Sequence, residues 1–251
     1  MKLRICYLYP NLMNMYGDRG NIIALKNRAE RRNIEVFITK IDLKQKLELD
    51  KFDLFFIGGG QDREQKMVCD DFQKIKGKSL KEATEQNKVI LGICGGYQLF
   101  GSYFKTHTGE ELAGINILDC YTIASNQRMI GNVLVELDSK FPLKEKTLVG
   151  FENHSGKTFL GKNVSPLGKV LIGYGNNGKD GFEGANYKNV FGTYLHGSFL
   201  PKNPDFTDFL ILKSLENKYD IESLDNIDNG IEQKAHKEAM ERAYKTKTIH
   251  L

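Results

Sequence analysis

Residues 88–101, KVILGICGGYQLFG, limit what this chain can fold into more than any other stretch. Val89, Ile90 and Leu91 form a short apolar run that predicts a buried strand. Gly92-Ile93-Cys94-Gly95-Gly96 then turns, and Tyr97 to Tyr103 follow with Leu99, Phe100 and Tyr103 at helical spacing. A strand, a glycine turn and a helix with one nucleophile at the apex make a nucleophile elbow, here with Cys in place of Ser. Glycines flank such an apex because its backbone is strained and a neighbouring Cβ would clash. A thiol at a helix N-terminus is also expected to ionise more readily. The same residues fit a buried structural cysteine beside packing glycines. The strand before Cys94 and the helix after it favour the nucleophile.

The flanking pattern predicts an α/β fold. Leu3 to Leu8 reads as a strand, Gly20 to Arg32 as a helix with Ile22, Leu25 and Ala29 on one face, and Ile34 to Ile41 as a strand. Asp53 to Ile57 is a further apolar strand ending in Gly58-Gly59-Gly60, and residues 63–86 read as an amphipathic helix with a break at Gly77. The order β-α-β-β-α-β calls for a mostly parallel central sheet flanked by helices. In such sheets the sites lie beyond the C-terminal ends of the strands, where both the Gly58–Gly60 turn and Cys94 fall. The second half carries more strand character, at 129–137, 147–151, 169–174 and 190–195, with a hairpin or surface loop over 173–184. Asn203 as N-cap and Pro204 as first helical residue predict one C-terminal helix, and Ala235, Ala239 and Ala243 mark another near 230–245. With 251 residues, no internal repeat and no clear linker, the chain reads as a single domain over 1–251. Its core covers about 1–200, with a C-terminal helical appendage over about 203–251.

Several function classes are disfavoured. The net charge of +4 is mild, and Lys and Arg are spread along the chain without aromatic interleaving, so nucleic-acid binding is not expected. No apolar stretch approaches a membrane span and the N-terminus lacks a signal-peptide core, so a cytoplasmic protein with no membrane insertion is expected. Cys6, Cys69, Cys94 and Cys120 are widely spaced with no CxxC, which argues against both a metal site and a disulfide framework.

A nucleophilic cysteine needs a base, an oxyanion hole and something to bind. Of the five histidines, His107, His236 and His250 suit surface or loop positions. His196 ends the apolar strand Val190 to Leu195 and precedes Gly197, so it can face the sheet edge that carries Cys94. Spacing alone leaves it open between a base and a strand-end histidine bonded to a nearby carbonyl. His154 lies in Gly150-Phe151-Glu152-Asn153-His154-Ser155-Gly156, a polar, glycine-bounded turn better suited to substrate than to proton transfer. The Gly95 N–H and an N–H of Gly59 or Gly60 are the natural oxyanion donors. Arg128 stands in an otherwise neutral stretch, fit to be a solvated charge or to hold a carboxylate in two-pronged fashion.

Taken together, Gly92-Ile93-Cys94-Gly95-Gly96-Tyr97-Gln98, the upstream triple glycine and Tyr194-Leu195-His196-Gly197 resemble the class I glutamine amidotransferases, which have a flavodoxin-like fold. The YLHG and GFENHSG segments resemble the branch related to cobyric acid synthase. The N-terminal LYPNLMNMYGDRGN is similar to the glutaminase subunits of lipid II isoglutaminyl synthase (the GatD type). The resemblance implies that Cys94 attacks the carboxamide of L-glutamine and that His196 moves the protons. It implies Gly60 and Gly95 as the oxyanion hole, and Arg128, Gln98, Asn153, His154 and Ser155 as substrate-binding residues. It further implies a heterodimer with a Mur-ligase-like (MurT-type) synthetase subunit that uses the ammonia to amidate the D-glutamate α-carboxyl of lipid II. No cofactor or metal is expected in this chain; ATP and Mg are expected in that partner. Class I glutaminases usually carry Glu two residues after the histidine, and here that position is Ser198. The branch resembled is expected to run on a Cys-His dyad, unless an acid such as Glu152 or Asp18 reaches His196. Two other readings stay open: a glutaminase serving a cobyrinate-type carboxylate, and a catalytically silent regulatory module. The LYPNLMNMYGDRGN loop is a candidate pocket cover or partner contact, or an ordered surface turn.

Overall fold

The computed structural model describes residues 1–246 and the backbone of 249–250. The first half alternates as the sequence predicts: β1 (Lys2–Leu8), α1 (Arg19–Glu30), β2 (Glu35–Ile41), β3 (Leu54–Ile57), α2 (Asp62–Asp71), α3 (Gly77–Glu85), β4 (Val89–Ile93) and α4 (Gly95–Phe100). A π-helical turn, Phe72–Lys76, separates α2 from α3, so the break falls just ahead of Gly77. The second half is mostly strand: β5 (Tyr103–Lys105), β6 (Glu111–Ala113), β7 (Cys120–Leu137), β8 (Thr147–Leu160), β9 (Gly168–Ile172), β10 (Phe182–Glu183), β11 (Ala185–Tyr187) and β12 (Val190–Thr193). Helices α5 (Pro204–Tyr219) and α6 (Gly230–Lys245) and the short β13 (Ile249–His250) follow.

The central sheet has six strands in the order β11-β12-β4-β3-β1-β2, and every pairing but β11 with β12 is parallel. The four residues of β3, the five of β4 and the four of β12 are all buried, as a sheet covered on both faces requires. From β1 the chain crosses to β2 on one side, and β3 returns to the other side. That reversal opens a crevice at the C-terminal ends of β1 and β3, the place where open α/β sheets carry ligands. The loop after β1, the glycine turn after β3 and Cys94 after β4 all end there.

The sequence does not anticipate a second, largely antiparallel sheet of seven strands built on β7 and β8. An antiparallel bridge joins the two sheets: the His196 N–H donates to the Phe151 carbonyl at 2.8 Å, and the Phe151 N–H returns to His196 at 3.2 Å. Residues 150–156 are therefore the middle of β8 and not a turn. Their glycines mark close approach: a Cβ at Gly150 would lie 2.8 Å from the Leu195 Cβ, and one at Gly156 would lie 2.4 Å from the Gln98 amide nitrogen. Three further expectations change. Tyr103 leaves the elbow helix and opens β5, because Gly101 is extended (φ −71°, ψ −169°) and stops α4. Asn203 precedes α5, yet its side chain bonds the Val149 N–H (2.9 Å) and carbonyl (2.8 Å) instead of capping the helix. His236 is buried, with Nδ1 on the Lys202 carbonyl at 2.7 Å and Nε2 on Thr147 Oγ1 at 2.9 Å. The His250 side chain lies outside the described residues.

Charge fixes α1, which begins next to the site. Arg28 donates to both oxygens of Asp208 on α5 at 2.6 Å, and Arg32 donates to the same carboxylate at 3.0 and 2.7 Å. Both arginine side chains are about 5% exposed or less, while Asp208 keeps 20%. Asp208→Ala takes the shared carboxylate from two buried guanidiniums, leaving Arg28 with Glu232 and Asn229 and Arg32 with the Asp225 and Arg28 carbonyls. It is expected to destabilise the fold by about 3 kcal/mol in urea unfolding, the low end for a broken buried pair because Asp208 is partly solvated. A loss below about 1 kcal/mol would show that the Asp208 pairs do not hold α1.

Candidate active site

Cys94 caps the strand-to-helix turn with φ 49° and ψ −104°, a conformation L-residues seldom adopt. It is held by its N–H on the Thr193 carbonyl at 2.8 Å and by its carbonyl, which accepts from the Gln98 N–H at 2.9 Å. The Gly58–Gly60 turn closes over it. A Cβ at Gly59 would lie 2.7 Å from His196 Cε1 and 3.4 Å from the Cys94 Cβ, so only glycine lets the turn sit against both residues. The Gly60 nitrogen lies 2.9 Å from where a Gly95 Cβ would stand, which brings the two expected oxyanion donors side by side.

His196 is fully buried, and its Nε2 finds no hydrogen-bond partner among the described residues. Its Nδ1 faces Asp18 Oδ1 at 3.3 Å. The other Asp18 oxygen accepts the Gly59 N–H at 2.6 Å. Burial lowers the His196 pKa. The Cys94 sulfur and the Asp18 carboxylate outweigh it, and the net result is pushed up to about 10. The Tyr16 ring and the imidazole form a T-shaped pair with centroids 5.1 Å apart.

Of the two acids left open by the sequence, Asp18 reaches His196 and Glu152 does not. The Glu152 carboxylate accepts the Tyr174 and Gly175 N–H groups at 2.7 and 2.9 Å and lies 3.8 Å from His154 Nε2. Ser198 donates to the Gly17 carbonyl at 2.6 Å.

The cavity above Cys94 measures about 380 Å³, and its wall includes Tyr16, Gly60, Cys94, Gln98, Arg128 and His154. Arg128 belongs to β7, at a bulge between Ala124 and Met129 that re-aims it into the cavity. Its Nε donates to Asn153 Oδ1 at 2.6 Å. The Tyr16 hydroxyl accepts from Arg128 Nη2 at 3.4 Å and from the Asn153 amide at 2.8 Å. Ser155 lies in the wall, its Oγ 3.2 Å from His107 Nε2. His154 stacks on Tyr194 with centroids 3.6 Å apart and donates from Nδ1 to the Gly156 carbonyl at 2.7 Å. The Gln98 amide is engaged at both ends, accepting from Gln65 at 2.8 Å and donating to the Tyr194 hydroxyl at 3.1 Å. Of the residues singled out in the sequence, Gly60, Cys94, Gln98, Arg128, Asn153, His154 and Ser155 line this one cavity, while His196 is buried behind it and Glu152 is turned to the Tyr174 and Gly175 N–H groups. The reading missed Tyr16 and Gln65, because neither a loop tyrosine nor a helical glutamine carries a local signal. No group of His, Cys, Asp and Glu among the described residues is arranged to hold a metal, and no described helix is long and apolar enough to cross a membrane.

Comparison with known proteins agrees with this geometry. Residues 4–204 match the model of the CobB/CobQ-like glutamine amidotransferase domain. The chain is 44% identical to the lipid II isoglutaminyl synthase (glutamine-hydrolyzing) subunit GatD of Staphylococcus aureus over 98% of both chains. It is 39% identical to the subunit of that name from Streptococcus pneumoniae, over 87% of this chain and 82% of that one. Among solved structures, the PurLQS complex of Thermotoga maritima contains a chain of the same fold, with TM-score 0.59, 18% identity and coverage of 86% of this chain and 97% of that chain. A glutamine amidotransferase from the same organism gives TM-score 0.52 at 16% identity, over 96% of this chain and 92% of that one. The chain belongs to the CobB/CobQ-like glutamine amidotransferase family, in the group of the GatD subunits, and is a glutamine-hydrolysing amidotransferase subunit.

Proposed function

We propose that this chain hydrolyses L-glutamine through Cys94 and His196 and supplies the ammonia to a Mur-ligase-like (MurT-type) synthetase subunit. That partner, holding ATP and Mg, amidates the D-glutamate α-carboxyl of lipid II to D-isoglutamine. The observation that carries the glutaminase half is the strained Cys94 in the cavity wall with the buried His196 close behind it, the His196 Nε2 left without a hydrogen-bond partner among the described residues. The acceptor and the partner rest on the likeness to the two GatD subunits, whose name places them in a lipid II synthase.

Glutamine enters with its α-carboxylate towards Arg128 and Asn153 and its carboxamide towards Cys94. The Cys94 sulfur adds to the amide carbon while His196 holds the thiol proton. The carbonyl oxygen, now negative, is met by the Gly60 and Gly95 N–H groups. His196 returns the proton to the departing nitrogen, the C–N bond breaks and ammonia leaves a glutamyl thioester. A water, deprotonated by His196, adds to that thioester and the C–S bond breaks to release glutamate. In this arrangement Gln98 and His154 shape the cavity wall, the Gln98 amide held at both ends by Gln65 and Tyr194 and His154 held by its stacking on Tyr194 and its Nδ1 bond to the Gly156 carbonyl.

The direct test is glutamate release by this chain with a co-expressed Mur-ligase-like partner. Cys94→Ala and His196→Ala are each expected to lower kcat by at least about 10³-fold, and full turnover in either would remove the mechanism. Arg128→Ala gives up a charged hydrogen bond worth about 1.5–3 kcal/mol, so KM for glutamine should rise about 10- to 100-fold with a smaller change in kcat. An unchanged KM would take Arg128 out of substrate binding. Gly59→Ala places a methyl 2.7 Å from His196 Cε1 and is expected to depress kcat while leaving the melting temperature within a few degrees.

A further inference from the structure

We propose that Asp18, carried on the loop after β1, is the positioning residue that completes a Cys94–His196–Asp18 triad, and that Ser198 is the clasp that keeps Asp18 there. The inference rests on the glutaminase reading above and gives it a third member from a part of the chain remote from the position where class I glutaminases carry it.

The geometry is that of a fully buried pair. Asp18 and His196 are both 0% exposed, and their side chains meet at 3.3 Å through Nδ1, leaving Nε2 without a hydrogen-bond partner among the described residues. A buried carboxylate must be stabilised at more than one oxygen, and here the second oxygen accepts the Gly59 N–H at 2.6 Å. Asp18 therefore touches the imidazole and the turn that borders the oxyanion site at the same time. The Tyr16 ring, two residues upstream, meets the imidazole at a steep interplanar angle of 73°. An acceptor fixed at Nδ1 keeps the proton on that nitrogen and leaves Nε2 to exchange a proton with Cys94. The carboxylate also stabilises the imidazolium that forms once the thiol proton has moved.

Ser198 explains how a loop residue is held this closely. Its hydroxyl donates to the Gly17 carbonyl at 2.6 Å, immediately before Asp18. A Cβ at Gly20 would lie 2.1 Å from Ser198 Oγ, so the start of α1 is pressed against the same side chain. Next to it, Asn21 Oδ1 accepts the Leu200 N–H at 2.8 Å, and the Asn14 side chain accepts the Arg19 N–H at 2.7 Å. Ser198 itself sits at φ 45°, in the left-handed region. In this chain the acid facing His196 comes from position 18, and the serine two residues after the histidine bonds the carbonyl immediately before that acid.

Asp18→Asn separates this role from a structural one, because the asparagine oxygen still accepts from Gly59 while its amide presents a donor to His196 Nδ1. That mismatch favours the wrong tautomer. The expected result is a fall in kcat of about 10²- to 10⁴-fold with KM for glutamine changed less than about threefold. The alkaline limb of kcat/KM, set by loss of the His196 proton, should move to lower pH, because removing a neighbouring negative charge lowers a histidine pKa. Ring ¹⁵N shifts of His196, followed against pH, should show the same downward move and need no turnover. Ser198→Ala keeps the carboxylate and loosens its clasp, so it should lower kcat by a smaller factor with a smaller shift in the same direction. It carries the test if Asp18→Asn does not fold. Should the folded Asp18→Asn keep wild-type kcat and an unmoved His196 titration, the inference fails while the Cys94-dependent glutaminase stands. If wild type shows no Cys94-dependent turnover, the glutaminase reading fails, and the ¹⁵N titration alone then decides whether Asp18 sets His196.

Discussion

The structure depends first on the strained backbone of Cys94. Holding a non-glycine residue at φ 49° costs on the order of 1–3 kcal/mol, and the surroundings must over-determine it. They do so through the neighbouring strands. The Cys94 N–H is taken by Thr193 at the end of β12, and the Gly96 N–H by Gly58 at the end of β3. Those bonds place the two segments that matter next to the thiol, since His196 follows Thr193 by three residues and the glycine turn follows β3 directly. The strain at the apex and the assembly of the site are thus one constraint. The all-buried strands on either side of β4 supply the apolar packing that sustains it.

Around that apex the two sheets divide the work. The parallel sheet provides Cys94, the glycine turn and His196. The antiparallel sheet provides the outer wall, with Arg128 at the β7 bulge and Asn153, His154 and Ser155 on β8, and the Phe151–His196 bridge locks the two together. The loop after β1 spans both halves. Asp18 lies behind the imidazole, while the Tyr16 hydroxyl bonds Arg128 and Asn153 at the mouth of the cavity. A single turn of chain therefore touches both the proton-transfer side and the substrate side.

Much of this was legible in the residues, and what was not has a physical reason. Helical and strand periods over 3–100, with glycines at both turns, revealed the parallel sheet and put Cys94 and Gly58–Gly60 on one edge, because such patterns are local. The second sheet was hidden because residues 150–156 are polar and glycine-bounded. The glycines there serve the close approach of Leu195 and Gln98, a tertiary fact with no local signature. Asn203 likewise looked like a helix cap and is spent on β8. Histidine burial was misjudged for His236, whose two ring nitrogens find partners on Lys202 and Thr147 only after α6 folds back. Which acid meets His196 could not be read from spacing, since Asp18 and His196 are 178 residues apart.

The central claim is covalent: glutamine is opened by Cys94 and passes through a thioester. The measurement that tests it most directly is acid quench of the chain, with its partner subunit, during turnover of isotopically labelled glutamine, followed by peptide mapping of the label. The expected result is label on the peptide bearing Cys94, released by neutral hydroxylamine and missing from Cys94→Ser. Turnover at a normal rate with no label on that peptide under quench conditions that preserve thioesters, or label on a different cysteine, would contradict it.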